Sequence, residues 1–399
     1  MPNGIKVLPT KNASATATVI KSTTVIGIVG SASLVDIDEK IKVKFEDKSR
    51  AGLLSFSDAD DALKVFESQA GTIREDLWDI KMQNVKSPVV ISLVEIKKTH
   101  EDKTPQEFYG DALFKSAVVK AVGNLQLART LFGAKVRITI AGYFSHDKTV
   151  RGAMDSFAVG TKTIAIVDMN LKEVSNALVE LNKLGSMRFL AFPFYRKAWS
   201  VYENANVTKP NSAVVAGHIA YWDAQMGEFG SCFDHANRLI YDVEGVVTPL
   251  KYEEGEDTCD VNKIVASGGA LLLNDDGNRL YNFETPSDDA RFNKLETIRF
   301  FDLINENLQK TLKRHKHRPA TDVFNLAKAD ADAFIGKAVK SGAAVGGKVW
   351  WSDKNDATEV AAGTIYMDYK ASNNIGVRTI VVQPYATNEY YATLIAENQ

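Results

Sequence analysis

From Thr24 onward, short apolar runs alternate with amphipathic stretches, and this alternation restricts the fold more than any other feature of the chain. Apolar strands are predicted at 24–30, 89–95, 136–140, 163–167 and 188–192. Helical stripes fill the gaps. Ser57-x-x-Asp60 opens one carrying Leu63, Phe66 and Ala70, and Thr72-x-x-Glu75 opens another with Leu77, Trp78 and Ile80. A longer stripe holds Leu113, Ala117, Ala121, Leu125, Ala128 and Phe132; a further one holds Leu171, Val174, Leu178 and Leu181. Strands that return to one sheet through helices lie parallel and are covered on both faces, so the expectation is an α/β domain with a mainly parallel sheet. The alternation over 35–45 predicts one more strand, and a helix around 214–222 closes the region.

The rest of the chain reads differently. The acidic, glycine-broken stretch 251–257 is expected to be an exposed loop near a domain boundary. Beyond it, Asp276-Gly277 between apolar runs predicts a tight hairpin. Two long helices follow, one with Phe292, Leu295, Phe301, Leu308 and Leu312, the other capped by Thr321 with Val323, Ala327, Phe334 and Ala338. A polar-tipped hairpin comes next: Lys348-Val349-Trp350-Trp351-Ser352-Asp353, a turn at 354–359, and a return at 363–369. The tail adds a β-prone run at 377–382 and ends in Tyr390-Tyr391-Ala392-Thr393-Leu394-Ile395 before its last residues. A two-stranded hairpin is marginal alone and its edges invite further strands. These elements make a second, α+β domain. Residues 1–22 lack periodicity; as an extended arm, about 20 residues reach roughly 70 Å, far enough to touch another subunit.

Several function classes find little support. A formal net charge of −2 gives no global case for nucleic-acid or membrane binding. No apolar run approaches the ~20 residues that span a bilayer, and Met1-Pro2-Asn3-Gly4-Ile5-Lys6 lacks the order of a signal peptide, so cytoplasmic synthesis is expected. The two cysteines, Cys232 and Cys259, are expected as free thiols. Gly27-x-x-Gly30 has the wrong spacing for a dinucleotide fingerprint and reads as a tight turn after a core strand. Cys232-x-x-His235 lacks the second pair that structural zinc needs. In Asn274-Asp275-Asp276-Gly277-Asn278, setting Gly277 at loop position six puts Leu272 and Phe283 where calcium ligands belong. No Ser-His-Asp order, nucleophile elbow or P-loop occurs. No catalytic, cofactor or metal site is nominated, and the chain is not expected to be an enzyme.

The order hairpin, Trp-Trp-Ser-Asp, acidic turn, Gly363-Thr364-Ile365-Tyr366-Met367-Asp368-Tyr369, then apolar tail resembles the contractile-tail sheath proteins of phages and R-type pyocins. Thr24-Val25-Ile26-Gly27-Ile28-Val29-Gly30 is similar to the family's first core strand. Val214-Val215-Ala216-Gly217-His218-Ile219-Ala220-Tyr221-Trp222-Asp223, followed by Gly227, is similar to its Val-Ala-Gly helix. Asp276-Gly277-Asn278-Arg279 sits where sheaths carry Asp-Gly-x-Arg, with Tyr281-Asn282 replacing Trp-Gly and Glu284 where an Arg is common.

The resemblance implies a helical homopolymer of stacked, hexameric rings around a tail tube protein, with baseplate and tail terminator partners. Contraction would drive the tube through the host envelope for genome delivery. It places the assembled protein in the virion tail, built in the host cytoplasm, with no direct nucleic-acid contact and no membrane insertion. It divides the chain into an N-terminal arm (1–22), an outer α/β domain (23–255), an inner α+β domain facing the tube (256–372) and a C-terminal strand and arm (373–399). Val19, Ile20 and Val25 flank the N-terminal arm; Tyr390, Tyr391, Leu394 and Ile395 belong to the C-terminal one. Both add strands to neighbours, with Val349, Trp351, Ile365 and Met367 in the receiving hairpin. The basic run Lys310, Lys313, Arg314, Lys316 and Arg318 is either a solvated helix end or a surface near an acidic tube. The alternatives are a sheath from a non-viral injection machine, such as a tailocin or secretion system, and a soluble α/β enzyme, for which ligand-dependent thermal stabilisation is the discriminating observation.

Overall fold

A computed structural model describes residues 20–35, 37–96, 112–388 and 390–391. Its strands in chain order begin with β1 (Ile20–Lys21), β2 (Val25–Ser33), β3 (Leu53–Phe56), β4 (Val85–Lys86) and β5 (Val89–Ile96). They continue with β6 (Val136–Ile140), β7 (Ile164–Asp168) and β8 (Phe189–Phe192). A six-stranded sheet runs β3-β5-β2-β6-β7-β8, parallel throughout except for antiparallel β3 at one edge.

Period-2 geometry sends successive side chains to opposite faces, and here both faces are apolar. Ile26 and Ile28 of β2, with Val89 and Ile91 of β5, face a core shared with the Ala59–Phe66, Ile73–Lys81 and Ser212–Gln225 helices. Val25 and Val29, with Val90 and Val94, face the Ala112–Asn124, Lys148–Thr161 and Val174–Leu181 helices. The expected mainly parallel, helix-covered sheet is therefore present.

Local readings are corrected in places. The predicted strand over 35–45 is instead a helix, Glu39–Glu46, whose N-cap Asp38 accepts from the Lys40 amide. Its Ile41 and Phe45, with Ile37 before them, pack on the core at i+4 spacing, and that helical stripe outweighs the period-2 alternation. Gly27 and Gly30 lie inside β2, not in a turn after it. A Cβ on Gly27 would meet Val136 Cγ1 at 2.8 Å and one on Gly30 would meet Ile73 Cγ1 at 2.6 Å, so both glycines serve close packing. Thr72 makes no side-chain cap; its hydroxyl accepts from the Ser31 amide instead. Asp58, not Ser57, caps the Ala59–Phe66 helix, and the Ala320–Lys340 helix starts behind Pro319 rather than at a Thr321 cap.

A three-stranded ribbon, β10-β9-β11, is built from β9 (Arg196–Ser200), β10 (Ala205–Lys209) and β11 (Gly245–Val246). The Asp276-Gly277 hairpin forms as read: β12 (Leu271–Asn274) pairs β13 (Asn278–Tyr281), with both turn residues at positive φ. A separate apolar core joins Phe229 and Cys232 to Phe300, Ile304 and Leu308 of the Leu295–Leu312 helix and to Ala331 and Ile335 of the Ala320–Lys340 helix. Onto it packs the last hairpin, β14 (Ala344–Trp351) against β15 (Met367–Asn373). Cys232 and Cys259 are buried free thiols.

Candidate assembly site

The β14–β15 hairpin is two-stranded among the described residues, so each strand keeps one edge of backbone donors and acceptors unused by the other. It is firmly held on its inner face. A Cβ on Gly347 would lie 2.6 Å from Ile335 Cγ2, which shows how closely the strand approaches the helix. Trp351 stacks edge-to-face on Phe324 at 4.8 Å, and the Tyr369 hydroxyl donates to Asn305.

The connection between the strands is not the simple polar turn read from sequence. Asp356 caps a short Ala357–Ala361 helix, and Asn355 bonds both Tyr366 backbone groups, at 2.7 Å each. The return strand consequently starts at Met367, and Ile365 lies just before it. Of the residues assigned to the receiving hairpin, Val349 is buried in the core, while Trp351, Ile365 and Met367 line one cleft.

That cleft, about 470 Å³, has a floor that includes Leu312, Val323 and Ala327 and a rim that includes Lys316 and Arg318. The structure thus brings part of the basic run beside the β14–β15 hairpin. The run divides in two. Lys310 pairs with Glu306 at 2.9 Å, and Arg314 pairs with Asp330. Lys313, Lys316 and Arg318 are exposed and make no ion pair among the described residues. Glu306 also takes Lys135 and Arg137, each at 2.7 Å. Burial opposes its charge, but the lysine hydrogen bonds and Arg137 outweigh burial and hold the carboxyl at about 2.

At the N-terminal end, Ile20 of β1 pairs with Val85 of β4 in parallel, and the Ser22 amide donates to Lys86. Val25 is the first residue of β2, paired with Val136, so it is the root of any arm and part of the sheet itself. Val19, Leu394 and Ile395 lie outside the described residues. At the other end, residues 374–388 have no regular secondary structure, so the β-prone run at 377–382 has no strand partner among the described residues. Ile380, Val381 and Val382 are 81%, 76% and 81% exposed, and Tyr390 and Tyr391 are exposed as well.

Sequence reading missed the polar hub that ties these parts together. Asp223, at the end of the Ser212–Gln225 helix, accepts from Thr24 Oγ1 at 2.7 Å, His235 Nε2 at 2.8 Å and Arg299 Nη2 at 2.5 Å. Burial opposes its charge, yet Arg299 and His235 overcome it and hold the carboxyl well below the usual range. His218 lies in the same helix and donates to the His235 carbonyl. Burial pushes its imidazole down to about 3. The unfolded chain therefore protonates His218 first as pH falls below about 6.5, so this residue's contribution to stability is lost between about 6.5 and 3. Buried Asp168 and Asp242, pushed up to about 6 and about 7 chiefly by burial, act in the opposite direction. The wild-type comparison with His218→Gln isolates the histidine: its stability deficit or gain should shift by about 2 kcal/mol in the variant's favour from pH 7 to pH 5. Urea midpoints at both pH values measure it, and parallel curves would refute it.

This arrangement has relatives. The chain is 27% identical over 247 residues to a putative prophage major tail sheath protein of Pseudomonas aeruginosa, across 61% of this chain and 62% of that protein. Its fold matches the anti-feeding prophage helical sheath in the contracted state with a TM-score of 0.64, covering 97% of this chain and 100% of that one, at 13% identity. The chain is related to contractile tail sheath proteins. It is also 25% identical over 284 residues to the tail sheath protein of Burkholderia phage BcepMu, across 67% of this chain and 59% of that protein. The PVC sheath complex of an extracellular contractile injection system, also contracted, matches with a TM-score of 0.65 over 98% of this chain and 99% of that one, at 12% identity. The chain thus spans 62% and 59% of the length of these two sheath relatives by sequence. No family model matches it. The relatives are structural sheath proteins, not enzymes.

Proposed function

We propose that this chain is the structural subunit of a contractile sheath: it polymerises around a tail tube and contracts to drive that tube through a bacterial envelope. The observation that carries this reading is the exposed apolar run at 377–382, which has no strand partner among the described residues and follows a hairpin that is two-stranded among them, on a fold that matches contracted sheath subunits over nearly its whole length. The N- and C-terminal arms add strands to hairpins of neighbouring copies, supplying main-chain hydrogen bonds that depend little on side chains. Contraction then needs no nucleotide, because a metastable lattice relaxes while the strands stay paired.

In this reading the helix-covered sheet is the outer body, and the core under β14–β15 is the inner one. Lys313, Lys316 and Arg318 face an acidic tube surface and add register and steering. Stacked hexameric rings, baseplate and terminator partners, and residence in a virion tail assembled in the host cytoplasm belong to the same proposal. The likeness to the anti-feeding prophage and PVC sheaths favours a second origin, a non-viral injection machine. Capsid and terminase genes beside this one would decide for a phage, and their absence for the other machine.

Negative-stain electron microscopy of the purified protein is the test. Hollow tubes or stacked rings are expected. Compact particles that stay compact when the tail tube is added would overturn the reading.

A further inference from the structure

The C-terminal tail changes character at a single residue. Up to Asn374 it is bonded to the body: Asn373 Nδ2 donates to Thr297 Oγ1 at 2.9 Å, and the Asn374 amide donates to the Ala343 carbonyl at 3.0 Å. Gly376 then lies so close to Asp234 that an added Cβ would sit 2.9 Å from the Asp234 Cβ. Arg378 follows and enters a cluster of carboxylates. Its Nη2 meets the two oxygens of Glu296 at 2.9 and 3.0 Å and Asp234 Oδ2 at 3.3 Å, while Nη1 pairs with Glu284. These acids come from separate stretches of chain: the loop after the Ser212–Gln225 helix, the segment after β13, and the first turn of the Leu295–Leu312 helix. The Glu296 side chain is fully buried. Past Arg378, no ion pair or backbone hydrogen bond joins 379–386 to the body among the described residues, and the large apolar side chains there are exposed.

We infer that Arg378 is the positioning residue that sets where the exchanged part of the tail begins: residues up to 378 stay with their own body, and 379 onward pass to a second copy of the chain. This rests on the arm-exchange reading above. A guanidinium suits the task, because its planar fork of donors reaches several carboxylates at once, whereas a lysine offers a single point charge. The position of the root governs the exchange. Releasing 375–378 adds about 13 Å of slack, and a tethered strand loses effective concentration when its linker no longer matches the span.

The experiment compares the full chain with Arg378→Gln, with the double variant Arg378→Gln/Glu296→Gln, and with a truncation ending at Arg378. The double variant removes the buried carboxylate that the single one leaves unpaired, and so protects against simple misfolding. Limited proteolysis of monomers and the critical concentration for polymerisation are the readouts. In the double variant, with melting unchanged, we expect new cleavage at Ile375 or Val377 and a critical concentration roughly tenfold higher. Arg378→Lys should restore only part of the protection. The truncation should not polymerise. A double variant that cleaves and polymerises like the full chain overturns the role of Arg378 while leaving arm exchange standing. A truncation that polymerises normally overturns exchange of the C-terminal arm, and this inference with it.

Discussion

Replacing Asp223 by alanine should cost about 3–5 kcal/mol of folding stability, a large share of the total for a domain of ordinary stability. The carboxylate is the shared acceptor for Arg299, His235 and Thr24. The Arg299 side chain is 7% exposed, and its Nη1 has no hydrogen-bond partner among the described residues. Without Asp223 the guanidinium would be a buried charge that has lost its paired carboxylate, and this, more than the lost hydrogen bonds, sets the cost. Asp223→Asn keeps the shape but not the charge, so it should recover only part of the loss. Urea unfolding measures both. Asp275→Ala, at the exposed tip of the β12–β13 hairpin, serves as a control and should stay within about 0.5 kcal/mol of wild type. A loss below about 1 kcal/mol for Asp223→Ala would mean that water or a rearranged partner satisfies Arg299.

The contacts of Asp223 also explain what could and could not be read from the sequence. The sheet was legible because apolar residues on both faces of a strand leave a continuous run such as Val25–Val29, and intervening stripes at i+4 spacing mark the covering helices. Asp276-Gly277 marked a hairpin because it supplies positive φ where the turn requires it. The Glu39–Glu46 helix was missed because Ile37, Ile41, Val43 and Phe45 satisfy period 2 and, in part, period 4 at once. At the candidate assembly site, alternation placed Val349 and Trp351 on one face, but it carries no information on which part of that face is covered. Val349 fills the core, while Trp351 borders a cleft. The hub and the tail clamp were illegible for a different reason. Arg299 and Asp223 are 76 residues apart and Arg378 and Asp234 are 144 apart, so only the tertiary fold makes ion pairs of them.

Deleting residues 1–18 should leave a folded monomer that no longer polymerises. The described contacts that fix the start of the chain to the body begin after the deletion: Ile20 and Lys21 pair with Val85 and Lys86, the Ser22 amide donates to Lys86, and Thr24 donates to Asp223. The melting temperature should therefore move by no more than about 1–2 °C, the shift expected for about 1 kcal/mol in a chain of 399 residues. Assembly should respond far more strongly. A donated strand contributes main-chain hydrogen bonds worth about 1 kcal/mol each. Losing three or four of them raises the critical concentration by roughly 100- to 1,000-fold, at about 1.4 kcal/mol per factor of ten. Sedimentation velocity with negative-stain imaging reads both species. A glycine-serine stretch of the same length in place of 1–18 separates pairing from mere chain length: it keeps backbone donors and acceptors but resists ordering into a strand, so it should rescue weakly. Normal tubes from the deletion at wild-type concentration would place the lattice contacts in the folded bodies and the C-terminal tail alone.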